Sequence, residues 1–230
     1  MLKIRRSFGI WIVPVALALS AGKVPLLAQG VTVTGQVTLL DKGGGPPSDV
    51  GQAVVWLTGD QAPAGTPATV EIATEDKQFV PRLIVVPRGS TVAFPNHDPF
   101  NHNVFSVSPE GPFDLGLYGR GTAKSVRFDR AGVIEVYCNV HASMRGLVVV
   151  QETSLYAQPG ADGSFRLDRV PPGDYILHAW HERAHEVTSP LKVTESAMAP
   201  VPVTLDARGY RLVQHKDKNG RSYSDRSRRY

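Results

Sequence analysis

Short apolar runs separated by glycine and proline turns make up most of the chain after residue 30. The first run, VTVTGQVTLL at 31–40, alternates apolar with small or polar residues, which is the period of a half-buried β-strand. No apolar pattern of helical period continues for three turns. The pattern predicts an all-β fold, with antiparallel strands in a sandwich or barrel. Similar runs occur at 53–58, 69–73, 82–86, 90–94, 103–107, 125–128, 133–138 and 146–151.

A second group of strands is predicted after residue 152. The segment ADGSFRLDRVPPGDYILHAWHE contains an Asp162-Gly163 turn and a PPGD turn, and two further short strands are expected near 187–193 and 201–205. This part resembles the second half of the carboxypeptidase-regulatory, transthyretin-like β-sandwich modules, and residues 35–57 loosely match the first half. The resemblance implies a small accessory sandwich that is discontinuous in the sequence. Two sequential domains are the alternative.

The first 28 residues have the pattern of an export signal. Three basic residues (Lys3, Arg5 and Arg6) precede an apolar segment from Phe8 to Ala21, and small residues follow where a signal peptidase would cut. Pro14 interrupts the apolar segment, which is short for a membrane span. A retained N-terminal anchor is the alternative. In both cases the mature domain is expected in the periplasm or elsewhere outside the cytoplasm.

The formal net charge of +4 is unevenly distributed. The region from Asp206 to Tyr230 carries eight basic and three acidic residues, whereas the body of the chain is mildly acidic. No basic and aromatic residues are interleaved on a predicted strand surface, so the sequence gives no reason to expect nucleic-acid binding. The polar tail at 207–230 is predicted to be disordered and solvated. Weak contact with an anionic membrane surface or an acidic partner is the alternative.

The only cysteine of the chain lies in the segment YCNVHASMRG at 137–146. Cys138, His141 and Met144 are spaced by three residues in a short loop between two apolar runs, so all three side chains can turn inward. Thiolate and imidazole bind copper or zinc, whereas a thioether suits copper and is a poor zinc ligand. An inert core thiol and a core methionine are the alternatives for Cys138 and Met144.

A trigonal metal site in this loop needs one more strong ligand from elsewhere in the chain. The segment FPNHDPFNHNVFS offers His97 and His102 at the edges of predicted strands. We expect His102 to be the ligand, because the Asp98-Pro99 pair beside His97 is typical of a loop. Two histidines, one thiolate and a weak axial methionine form the donor set of blue-copper electron-transfer sites.

These motifs resemble those of the cupredoxins. The pattern Tyr137-Cys138-x-x-His141-x-x-Met144 is similar to their ligand loop, with the short spacing of amicyanin. His102-Asn103-Val104-Phe105 is one residue shorter than the HNIVF of plastocyanin-like proteins. The resemblance extends over about residues 69–151 and implies a Greek-key cupredoxin sandwich.

The resemblance also implies a role for each residue of the motif. One mononuclear type 1 copper would be held by His102, Cys138 and His141, with Met144 as the axial ligand. Asn103 would hydrogen-bond to the ligand loop without touching the metal. The implied function is an extracytoplasmic blue-copper protein that carries single electrons and is not an enzyme. Its partner would be a redox protein, such as a periplasmic dehydrogenase or a cytochrome.

Two alternatives to this function stay open. The first is a copper-binding, storage or structural β-sandwich protein without an electron-transfer partner. The second adds another metal site at His178, His181 and His185, which requires the chain to turn after Trp180.

The division of the chain predicted from all these patterns has five parts: 1–28 signal peptide, 31–66 first strands of the accessory sandwich, 67–151 cupredoxin domain, 152–206 accessory transthyretin-like module and 207–230 basic tail.

Overall fold

The structure is a computed structural model that describes residues 30–45, 47–196 and 198–223, so the predicted signal peptide lies outside the described residues. Within these ranges the chain forms β-strands and one short 3-10 helix at Val50–Gln52. No helix among them is long and apolar enough to cross a membrane. The strands are β1 Val31–Leu40, β2 Val54–Thr58, β3 Thr69–Glu71, β4 Ala73–Glu75, β5 Gln78–Val80, β6 Leu83–Pro87, β7 Thr91–Pro95, β8 His102–Ser106, β9 Phe113–Tyr118, β10 Ala123–Arg127, β11 Gly132–Cys138, β12 Arg145–Gln151, β13 Tyr156–Ala157, β14 Ser164–Val170, β15 Gly173–His181, β16 Ala184–Val193 and β17 Val201–Asp206.

The two ends of the described chain build one sandwich, which we call the accessory sandwich (β1, β2 and β13–β17). Its sheets have the strand orders β14-β1-β17 and β13-β2-β15-β16. The alternation in β1 directs Val33, Val37 and Leu39 into a core that also contains Leu57, Phe165 and Leu177. At the Asp162-Gly163 turn, Gly163 has φ +84°, and a Cβ there would lie 2.2 Å from the carbonyl oxygen of Val37. This turn therefore requires glycine.

The middle of the chain builds a second sandwich, which we call the central sandwich (β3–β12). A five-stranded sheet with the order β6-β12-β11-β8-β9 faces a three-stranded sheet with the order β10-β7-β3, and β4 and β5 form a separate hairpin. The core between the sheets contains Phe94, Val104, Ile134 and Val148. Cys138 and Met144 belong to the same buried cluster. The candidate metal ligands therefore lie at the edge of a packed apolar core.

The predicted fold class is confirmed: the described residues are all-β, with a cupredoxin-type sandwich and a second sandwich formed by segments distant in sequence. The transthyretin-like resemblance of the second sandwich stays a prediction. The sequence pattern missed the hairpin β4–β5 and the strands β9 and β13. In β9, the sequence FDLGLY contains Gly116 with φ +66°, which interrupts the regular alternation that identifies a strand.

The two sandwiches share a third apolar cluster. It joins Val54 of β2 to Leu83, Leu147 and Val149 of the central sandwich, with Trp180 of β15 packed against it. Polar contacts surround this cluster, since the Arg82 guanidinium contacts Glu182 at 2.6 Å and Arg145 reaches the same carboxylate at 3.4 Å. Apolar packing and shared ion pairs thus fix the accessory sandwich against the sheet that carries the candidate site.

Shortening a side chain of this shared cluster should destabilise the protein. Leu147 is fully buried, and Leu147→Ala is expected to lower the free energy of unfolding by about 2–5 kcal/mol because it leaves a cavity. The matched control is Leu117→Ala, since Leu117 is 59% exposed and its loss should cost no more than about 0.5 kcal/mol. Chemical denaturation measures both changes, and equal effects for the two variants would contradict this packing.

The prediction of a disordered tail is wrong for residues 207–223. Ala207 donates its N–H to the carbonyl of Leu40, and the segment then crosses from the accessory sandwich to the central one. There the ring of His215 stacks on Tyr137 with centroids 4.2 Å apart and planes at 19°. The polar composition of the segment resembles that of a disordered tail, but its few aromatic side chains attach it to the fold.

Candidate metal centre

The candidate ligands are positioned by two neighbouring strands and one short loop. His102 begins β8 and Cys138 ends β11, and these strands pair antiparallel with Cys138 opposite Val104. The loop 139–144 leads back into β12. It is closed by the N–H of Cys138, which donates to the carbonyl of Met144 at 3.2 Å, and by the N–H of Met144, which donates to His141 at 3.1 Å. The loop therefore has few ways to move independently of the sheet.

The structure brings His102, Cys138 and His141 together. One ligand atom from each lies within 4.8 Å of the other two, and no other such group of three occurs in the described ranges. The Sγ of Cys138 is 3.5 Å from Nδ1 of His102 and 3.6 Å from Nδ1 of His141. The N–H of Val140 also points at this sulfur from 3.4 Å. Three soft or borderline donors thus converge on one point.

A buried carboxylate fixes the orientation of His102. Nε2 of His102 donates to Oδ2 of Asp98 at 2.7 Å, and both side chains are almost completely buried. Burial raises the pKa of Asp98, but hydrogen bonds from the Lys77 N–H, from His102 and from the Asp76 N–H outweigh it, so the pKa is lowered. The ionised carboxylate holds the proton of the imidazole on Nε2. Nδ1 therefore faces the sulfur with a free lone pair.

Asp98 also stabilises a strained turn next to the site. Asp76 and Lys77 join β4 to β5 with φ +50° and +58°, which is unfavourable for residues other than glycine. The carboxylate of Asp98 accepts both of their N–H groups, at 2.8 and 3.0 Å. One side chain thus connects the β4–β5 turn to the imidazole of His102, and this connection is a part of the site that the sequence did not predict.

His141 is the member of the group that reaches solvent. Burial is the main cause of its lowered pKa, and the nearby Lys77 cation lowers the pKa further, so the neutral imidazole that a metal needs is favoured. The Phe100 ring lies edge-on to both imidazoles, 5.4 Å from His102 and 5.5 Å from His141. Val140 beside it is 44% exposed. The apolar side chains of Phe100 and Val140 therefore flank the one accessible donor, and the Lys77 ammonium group lies 5.2 Å from the centre of the Phe100 ring.

The structure places Met144 and Asn103 beside the group. Met144 is buried in the same apolar cluster as Cys138, at the end of the loop. The side-chain amide of Asn103 donates to Asp114 of β9, whereas its backbone carbonyl accepts the N–H of Asn139 in the loop at 2.9 Å. The expected contact from Asn103 to the loop thus runs through the main chain. The roles assigned to both residues stay predictions.

The remaining histidines singled out in the sequence do not join the group. His97 is exposed, while His178 stacks on Trp56 and His181 is buried against the carbonyl of Asp49. Strand β15 continues through Trp180 to His181, so the turn that would bring His178 and His181 together is not there. Within the described residues, the structure therefore forms no second histidine cluster.

Removing the charge of Asp98 should weaken metal binding without removing a ligand. Asp98→Asn is expected to lower copper affinity about 10–100-fold, because the imidazole of His102 loses the partner that fixes its orientation and its tautomer. Asp129→Asn is the control, since Asp129 forms an exposed ion pair with Arg127. Competition with a chelator measures the affinities, and an unchanged value for Asp98→Asn would show that Asp98 does not orient the donor.

Comparisons with known proteins agree with this geometry in the central sandwich. Residues 67–151 match the family model of copper binding proteins, plastocyanin/azurin family. No curated protein matches the chain. The part of the chain that matches this family model thus forms the central sandwich and carries the group His102, Cys138 and His141.

Two solved structures illustrate the likeness. A purple cupredoxin from Nitrosopumilus maritimus is 26% identical, and the alignment covers 36% of this chain and 99% of that one with a TM-score of 0.32. A reduced amicyanin variant is 26% identical, with 42% of this chain and 99% of that one covered and a TM-score of 0.34. Both alignments leave more than half of this chain unmatched.

Proposed function

We propose that the protein is an extracytoplasmic type 1 copper protein that carries single electrons between redox partners. His102, Cys138 and His141 would hold one copper ion, with Met144 as the weak axial ligand. The observation that carries the proposal is the convergence of one ligand atom from each of the first three residues within 4.8 Å, with Sγ of Cys138 next to Nδ1 of both histidines. The family match over residues 67–151 supports the choice of copper.

The spacing of the donors fits a metal ion. An ion bound roughly 2.0–2.3 Å from each nitrogen and sulfur needs donors about 3.5 Å apart when the ligands are trigonal. The two Sγ–Nδ1 distances of 3.5 and 3.6 Å meet this requirement. Two imidazoles and a thiolate next to a buried thioether form a set that selects copper over zinc. The donor chemistry and the geometry therefore agree.

The surroundings of the donors suit a one-electron carrier. Bound copper would supply the exchange between Cu(I) and Cu(II), and the protein's task is to keep the donors in place in both states. His102 and Cys138 lie on paired strands, and hydrogen bonds within the loop fix the start and end of the segment between Cys138 and Met144. Such a packed scaffold limits rearrangement and excludes water.

Electrons would enter and leave at His141. His102, Cys138 and Met144 are all buried, so the partly exposed imidazole of His141 is the shortest route from these donors to the surface. The apolar side chains of Phe100 and Val140 beside it suit a transient contact with another protein. A redox partner such as a periplasmic dehydrogenase or a cytochrome is proposed to dock there, and the predicted export signal supports a location outside the cytoplasm.

Repeated redox cycling tests the proposed function. The copper-loaded chain is reduced with ascorbate, freed of small molecules on a desalting column and reoxidised with ferricyanide over several cycles. We expect the visible absorption to disappear and return with no loss of copper. Release of copper on reduction, or a Cu(I) form that ferricyanide oxidises only over hours, would contradict the carrier and favour the storage alternative.

A further inference from the structure

We propose that residues 207–223 act as a C-terminal clamp that positions the Cys138 ligand loop, with Tyr223 and Lys218 as positioning residues. This inference rests on the proposed copper site, but its geometry is independent of the metal. The clamp contacts three consecutive residues, Tyr137, Cys138 and Asn139, which lead from the end of β11 into the loop.

The most direct contact is made by Tyr223. Its hydroxyl donates to the backbone carbonyl of Cys138 at 2.7 Å. Because this carbonyl belongs to the residue that carries the thiol, the bond restrains the peptide plane from which the sulfur projects. Tyr223 is 85 positions away in the sequence, so the contact is a long-range restraint on the loop.

Lys218 closes a ring of four hydrogen bonds. Its N–H donates to Oδ1 of Asn139 at 3.1 Å, and its ammonium group donates to Oδ2 of Asp114. Asp114 accepts the side-chain amide of Asn103 at 2.6 Å, and the carbonyl of Asn103 accepts the N–H of Asn139 at 2.9 Å. Asn103 follows His102, and Asn139 follows Cys138. The ring therefore joins the residues next to two candidate ligands.

The clamp also has a defined shape of its own. The carboxylate of Asp217 is buried and accepts the N–H groups of Asn219 and Arg221, both at 2.9 Å, and the N–H of Asp217 donates to the carbonyl of Arg221 at 2.8 Å. This turn presents Lys218 to the loop. An ordered turn with a buried carboxylate is what a positioning element requires, because a loose segment could not restrain the loop to better than an ångström.

Three variants of the full chain test the clamp. Tyr223→Phe removes only the hydroxyl, Lys218→Met removes the ammonium group and keeps the stem, and Lys218→Arg restores a cation. Leu212→Ala is the control, since Leu212 lies in the same segment and is 77% exposed. Without copper, we measure how fast a thiol reagent labels Cys138, which is the sole cysteine of the chain. With copper, the visible spectrum and the reduction potential are recorded.

If the clamp positions the loop, its loss should speed up labelling of Cys138 and shift both the visible band and the reduction potential of the copper form. Loss of the hydrogen bond to the Cys138 carbonyl should raise the labelling rate of Tyr223→Phe about fivefold. The visible band and the potential should shift in Tyr223→Phe and in Lys218→Met. Lys218→Arg and Leu212→Ala should match the unchanged chain.

These measurements distinguish failure of the clamp from failure of the proposed function. If the unchanged chain forms no thiolate-to-copper band but Tyr223→Phe labels faster, the clamp is supported and the proposed function fails. If the band forms and every variant matches the unchanged chain in labelling, spectrum and potential, the clamp is overturned and the proposed function stands.

Discussion

Cys138→Ser is expected to abolish the intense visible absorption of the copper-loaded protein. That absorption arises from charge transfer between a thiolate and Cu(II), and Cys138 is the only thiol in the chain. A serine hydroxyl is a poor copper ligand at neutral pH, so copper affinity should fall as well. Titration with Cu(II), followed by absorption spectroscopy and by metal analysis of the desalted protein, measures both effects.

Cys138→Ala separates loss of the ligand from damage to the fold. Cys138 is buried, and a serine hydroxyl in its place would still lie near Nδ1 of His102 and the N–H of Val140. Serine therefore replaces the sulfur with a hydroxyl that is a poor copper ligand. Alanine removes the sulfur without adding a polar group. Both variants should lose the band, and alanine shows this loss without any hydroxyl that could bind copper. A band that persists in either variant would show that Cys138 is not a ligand.

His102→Ala is the second change with a large expected effect. It removes a proposed ligand and leaves the buried carboxylate of Asp98 with only the two N–H groups of the β4–β5 turn. We expect the visible band to be lost and the apoprotein to be destabilised by about 2–4 kcal/mol, from the cavity and from the weakened support of a buried charge. Denaturation of the apoprotein and a copper titration measure these two losses.

His97→Ala is the matched control, since His97 lies five positions earlier and is exposed. It should change the unfolding free energy by less than about 0.5 kcal/mol and leave the copper band intact. The pair also decides between the two histidines that the sequence offers. Loss of the band in His97→Ala, with the band retained in His102→Ala, would reverse the assignment.

The sequence was most informative where the donors are close together in the chain. Cys138, His141 and Met144 share one loop, so their spacing alone predicted that they face the same point. His102 had to be inferred from a distant strand edge, and the structure places its Nδ1 beside the sulfur. The fold class followed in the same way from local evidence, because short alternating runs and turns are visible without any tertiary information.

The features that the sequence left hidden depend on distant contacts. Asp98 gains its role from the turn at Asp76 and Lys77, which folds back onto it from more than twenty positions away. Nothing local distinguishes it from a loop aspartate next to a proline. The clamp was missed for a similar reason, since its polar composition resembles that of a solvated tail. Its contact from Tyr223 to Cys138 exists only in the folded chain.

X-ray absorption at the copper edge tests the central claim most directly. The full chain is loaded with one equivalent of Cu(II), freed of unbound metal and measured before and after reduction. We expect one short copper–sulfur bond and two copper–nitrogen bonds from imidazoles, with little change on reduction. A shell of nitrogen and oxygen donors without sulfur would contradict a site built from His102, Cys138 and His141.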